Sequence, residues 1–68
     1  MSAYKIIEVV GTSPKGWEDA AQQAVKSASS SLRNLRVAEV IKQDLTIDAK
    51  GKIKEYRVRV AMSFKYEG

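Results

Sequence analysis

Gly11 and Gly16 lie five positions apart in "VVGTSPKGWEDAAQQAV", the glycine spacing of a phosphate-cradling loop. That loop needs Lys and then Ser or Thr directly after its second glycine, to reach the terminal phosphates and a magnesium ion. Here Trp17 and Glu18 follow Gly16, and Lys15 precedes it. Glu18 would repel a phosphate, so the segment reads as a turn that starts a helix. The remaining chemistry is sparse. The chain has no His and no Cys, which removes the commonest general base, the thiol nucleophile and the usual zinc ligands. Nothing points to acid–base or nucleophilic catalysis, and the expectation is a protein that is not an enzyme. Any metal must be a hard ion held by oxygens. The carboxylates for it are Glu8, Glu18, Asp19, Glu39, Asp44, Asp48, Glu55 and Glu67, and none of them forms the Asp-rich loop of an EF-hand.

The elements that must position these groups follow from periodicity. "AYKIIEVV", residues 3–10, is rich in β-branched residues and reads as a strand ending at Gly11. Ser13 and Pro14 suit an N-cap and first helical position, with Glu18 and Asp19 near the positive end of the helix dipole. Trp17, Ala20, Ala21, Ala24, Val25, Ala28 and Leu32 then fall on one helical face. An aromatic at that spacing reads as core, not as a ligand-stacking group. The serines of "SASSS" weaken the helix, and Asn34 is the expected stop.

"LRVAEVIKQDLTID" follows, with Leu35, Val37, Ile41, Leu45 and Ile47 on one expected face and Glu39 and Gln43 interrupting it. A turn at "DAKGK" uses Gly51 with positive φ. In "KIKEYRVRVAMSFKY" Tyr56, Val58, Val60, Met62, Phe64 and Tyr66 face one way, and Glu55, Arg57, Arg59, Ser63 and Lys65 the other. The fold class is therefore α+β, in the order β-α-β-β. The hairpin leaves the first strand to pair with the last, so the sheet order is 1-3-2, antiparallel, with one helix on one face. The other face places Arg57 and Arg59 beside Ile53 and Ala61, too mixed for a core and too apolar for plain solvent.

A chain of 68 residues is expected to be a single domain over residues 1–68, and one this short buries only about 60% of its unfolded surface. Without disulfide or metal staples, self-association is the expected source of stability. No segment resembles a signal peptide or reaches membrane-spanning length, so no membrane partner is expected and the expected location is cytoplasmic. Twelve Lys and Arg against eight Asp and Glu give +4. An alternative function is a small basic nucleic-acid-binding module using Lys52, Lys54, Arg57 and Arg59. Single-strand platforms expose aromatics beside their cations, whereas Tyr56, Phe64 and Tyr66 fall opposite the arginines. Nucleic acid is the disfavoured partner.

Three segments together, "YKIIEVVGTSPKGWEDAAQQAV", "LRVAEVIKQD" and "YRVRVAMSF", resemble the dodecin family over nearly the whole chain. "GTSP", "GWE", "RVAEVI", "QD" and "SFK" are most similar to the branch called calcium dodecins. The resemblance implies a hollow homododecamer, each subunit wrapping its sheet around its helix, that stores or buffers a ligand without catalysis. It implies flavins (FMN, riboflavin or FAD) bound in pairs at subunit interfaces, with coenzyme A in some members. By that resemblance Val37 occupies the place of a ring-stacking tryptophan, Glu39 keeps the acidic position after it, and Arg57 stands where a glutamine contacts the ring edge. A valine has no π-face, and an arginine donates but cannot accept; both departures weaken flavin. Calcium is the other ligand in view. In a symmetric shell one carboxylate repeats around each three-fold axis, and Glu8 and Asp44 are the candidates on that logic. Arg57 is free to enter the ligand site or to pair with Glu39 or Glu55.

Overall fold

Strand β1 (Ala3–Ser13), helix α1 (Trp17–Ser29), strand β2 (Leu35–Ile47) and strand β3 (Ile53–Tyr66) follow one another in a computed structural model. It describes residues 3–66, with side chains as far as Lys65, so the facing of the Tyr66 side chain and the carboxylate of Glu67 lie outside the described residues. The sheet order is β1-β3-β2, antiparallel throughout. The expected α+β architecture is the observed one.

Alternation in β3 sets the two faces. Val58, Val60 and Met62 are buried against Ala20, Ala24 and Ala28 of α1, with Ile7, Val9, Val25 and Leu35 around them. Alanine at three successive turns lets the helix lie close to the sheet. Gly11 completes that approach: a Cβ there would collide with the Ala20 carbonyl and lie 2.9 Å from the Ala24 Cβ. The first glycine of the opening spacing is thus a packing residue.

The helix boundaries differ from the expected ones. β1 runs on to Ser13, and Gly16, not Ser13, is the N-cap, making no side-chain capping bond. The Ser13 hydroxyl instead donates to Asp19 Oδ2 (2.6 Å) and accepts from the Lys15 N–H (3.0 Å), tying the strand end to the first helical turn. At the other end α1 stops at Ser29, ahead of Asn34. The Ser29 and Ser30 hydroxyls donate to the Lys26 and Ser27 carbonyls, offering the backbone an alternative to the helical ladder. Asn34 still makes the reversal, with φ 62°. Gly51, at φ 78°, turns the hairpin, and Asp48 Oδ1 accepts from the N–H groups of Lys50 and Lys52.

Strand β2 departs most from simple alternation. Pairing with β3 shifts between Leu35 and Val37 and again between Val40 and Lys42, leaving Arg36 and Ile41 as extra residues in bulges. Each bulge reverses which face the following residues occupy. Leu35, Val40 and Leu45 pair with Phe64, Val60 and Tyr56 on the helix side, whereas Val37 pairs with Ser63 on the outer face. The single apolar face expected for Leu35, Val37 and Leu45 is therefore divided.

The helix packs on β1 and β3 and barely reaches β2. Val40, though on the helix side, stays 51% exposed. The molecule is long, 53 × 19 × 15 Å, and among its described residues no helix is long and apolar enough to cross a membrane.

Candidate outer-face site

The outer face of the sheet is built from cross-strand rows, since residues directly opposite in an antiparallel ladder point to the same side. The first row is Ile6, Ser63 and Val37; the second is Glu8, Ala61 and Glu39. The third is Val10, Arg59 and Lys42, and the fourth is Thr12, Arg57 and Asp44. Every residue singled out in the sequence for a flavin or an ion lies on this face: Val37, Glu39, Arg57, Glu8 and Asp44.

They do not converge within one chain. Ser63 and Arg57 are six residues apart on β3, so Val37 and Arg57 stand about 20 Å from each other. Glu8 and Asp44 are two rows apart, or about 13 Å along the strands. Glu8 and Glu39 do share a row, across the small side chain of Ala61. Both are exposed, and neither has a hydrogen-bond or ion-pair partner among the described residues.

Asp44 and Arg57 share a row too, and they bind each other. Arg57 Nε donates to Asp44 Oδ1 at 2.7 Å and Nη2 to Oδ2 at 2.9 Å, a two-point fork. Of the pairings open to Arg57 in the sequence, neither Glu39 nor Glu55 is its ion-pair partner; Asp44 is. The Arg57 hydrogen bonds hold the Asp44 carboxyl below the ordinary 3.8, with the charges of Arg57, Lys42 and Arg59 acting in the same direction against some desolvation. The same hydrogen bonds push the Arg57 guanidinium up from its ordinary value.

Trp17 braces this row from the helix side. Its indole N–H donates to the Asp44 carbonyl at 3.2 Å, and its ring meets Tyr56 edge-on, with centroids 5.2 Å apart. It stays 37% exposed, so it lies at the rim and not in the expected core. The reason is position: as the first residue of α1, it lies beyond the alanine stripe that packs on β3.

Sequence reasoning missed the Lys42–Arg59 neighbourhood. Regular hairpin register sets Lys42 opposite Arg59, whereas the bulge at Ile41 turns Val37 and Glu39 to the outer face, and a bulge leaves no reliable mark in the pattern of apolar residues. Near the β2 start, Val25, Leu35, Arg36, Val37, Ala38 and Met62 also line a small cleft of about 110 Å³.

The dodecin family model matches residues 3–67. The chain belongs to the dodecin family. It is 51% identical over 65 residues to the calcium dodecin of Mycobacterium tuberculosis, covering 96% of this chain and 90% of that protein. It is 42% identical over 64 residues to the dodecin of Thermus thermophilus, covering 94% and 91%. The crystal structure of the M. tuberculosis calcium dodecin, described as having a novel calcium-binding site, superposes with a TM-score of 0.87 at 48% identity. That match covers 97% of this chain and 93% of that one. The dodecin of Streptomyces coelicolor gives 0.93 at 36% identity over 98% and 94% of the chains. Dodecins form homo-oligomers, and the β-α-β-β fold with sheet order 1-3-2 is theirs.

Proposed function

We propose that this dodecin is a non-catalytic homododecamer that binds a small ligand or a hard cation between the outer faces of adjoining copies. The observation carrying this reading is the spacing of the candidate residues. Val37 and Arg57 are about 20 Å apart in one chain, so a ligand touching both residue types draws them from two copies. The accessible surface, 5292 Å², supports assembly as well, since a compact monomer of this mass exposes about 4,200 Å².

A calcium-like ion suits the residues better than a flavin. Among the described residues no three carboxylates gather in one subunit, and calcium takes six to eight oxygens. Repetition of the Glu8–Glu39 row about a symmetry axis would supply the rest. Of the two carboxylates proposed for the ion, Glu8 is the stronger, because both Asp44 oxygens already accept from Arg57. Flavin has the family behind it, but Val37 offers it apolar contact without stacking, and Arg57 must leave Asp44 to reach its ring.

Native mass spectrometry of protein purified without added ligand tests both levels. A twelve-subunit mass that takes up calcium on titration, and does so at least tenfold more weakly in Glu8→Gln, is the expected result. Co-purified flavin would replace the ion with the family ligand, and a monomer would overturn the assembly.

A further inference from the structure

An ion pair as open to water as Asp44–Arg57 holds poorly by itself. The two side chains are 40% and 45% exposed, and such pairs lose most of their attraction to solvent screening and side-chain entropy. This row differs from an ordinary surface pair in having a third residue that grips both of its strands. The Trp17 indole N–H donates to the Asp44 carbonyl on β2, and the Trp17 ring meets Tyr56, next to Arg57 on β3, edge-on. Trp17 is itself fixed from behind. The Ser13 hydroxyl, donating to Asp19 Oδ2 and accepting from the Lys15 N–H, ties the first helical turn to the end of β1. Since α1 otherwise barely reaches β2, Trp17 is where the helix sets the position of that strand.

We propose that Trp17 is a positioning residue that locks the Asp44–Arg57 fork and so withholds Arg57 from whatever binds on the outer face. With the Asp44 backbone and the Tyr56 ring both held, the two charged side chains meet without first having to order their strands. Less entropy is lost on closing, and the pair stays closed for a larger fraction of the time. A ligand in another row of the face recruits Arg57 only when the guanidinium leaves Asp44, and Trp17 sets how often it does. The lock itself is a property of the chain alone. Its consequence rests on the reading that ligands occupy the outer face, and it adds the residue that decides whether Arg57 takes part.

Arginine labelling of the assembled protein with phenylglyoxal, followed site by site by peptide mass spectrometry, tests the lock. In the unmutated protein Arg57 should react more slowly than Arg59, which is exposed one row away and has no partner among the described residues. Trp17→Phe keeps a ring for Tyr56 and removes the N–H. Arg57 should then react about fivefold faster, the size of effect expected for one hydrogen bond, with Arg59 unchanged. Asp44→Asn should accelerate Arg57 at least as much, and adding Trp17→Phe to it should change nothing further, because Trp17 acts through the fork. An unchanged Arg57 rate in Trp17→Phe overturns the lock. Equal acceleration of Arg57 and Arg59 also overturns it, since it reports a sheet loosened throughout, and so does a further rise in the double variant. Arg57 reacting as fast as Arg59 in the unmutated protein overturns it without recourse to any variant. No ligand enters these measurements, so the native mass spectrum judges the ligand reading separately.

Discussion

Asp44 and Arg57 show how one pairing changes the worth of two candidate residues together. Each was singled out for a different ligand, and two of the five Arg57 N–H donors are spent on the two oxygens of Asp44. The carboxyl of Asp44 is held below 3.8 chiefly by the Arg57 hydrogen bonds. A folded-state pKa below the unfolded one gives a stabilising contribution that is present above the unfolded value. It is lost as the pH falls through the folded value. Carbon-detected NMR titration should therefore place Asp44 below 3.8, and Arg57→Gln should bring it back towards the ordinary value. An unchanged midpoint in Arg57→Gln would mean that Lys42 and Arg59 hold the carboxylate by themselves.

At the scale of elements, α1 is held against the sheet by small residues. Ala20, Ala24 and Ala28 face β3, and Gly11 lets β1 pass beneath the Ala20 carbonyl. Gly11→Ala puts a methyl against backbone, which cannot swing aside as a flexible side chain does. The expected loss is about 2–3 kcal/mol, or roughly 10–20 °C in Tm at fixed protomer concentration. Circular dichroism melting would show it, and an unchanged Tm would mean that the helix rides higher over β1 in solution. Strand β2 works by a different principle. Its bulges at Arg36 and Ile41 place Val37 outward and Val40 towards the helix, so one strand carries apolar residues on both faces.

For the whole molecule, the consequence is apolar surface that one chain does not cover. Ile6 and Val37, in the first outer row, are 67% and 63% exposed, and Val40 is half exposed on the other face. Placing a charge among them should break the assembly without unfolding the subunit's own core of Val58, Val60, Met62 and the α1 alanines. Val37→Asp should shift sedimentation from the dodecamer to smaller species, with the far-ultraviolet spectrum of the subunit largely kept. A dodecamer that forms normally would place Val37 outside the contacts between copies.

The sequence by itself determined the elements, their order and the sheet pairing. These depend on local periodicity and on the reach of a hairpin, and both are written in consecutive residues such as Tyr56 to Phe64. It also carried the family resemblance, and the absence of His and Cys narrowed the chemistry to oxygens and cations. Tertiary structure decided the rest, because the deciding contacts join residues distant along the chain. Asp44 and Arg57 meet across the hairpin, Trp17 reaches Asp44 from the start of the helix, and Gly11 matters only where the helix crosses it. The bulge at Ile41 decided most of all. One extra residue resets the faces of everything beyond it, and that residue turns Val37 and Glu39 to the outer face.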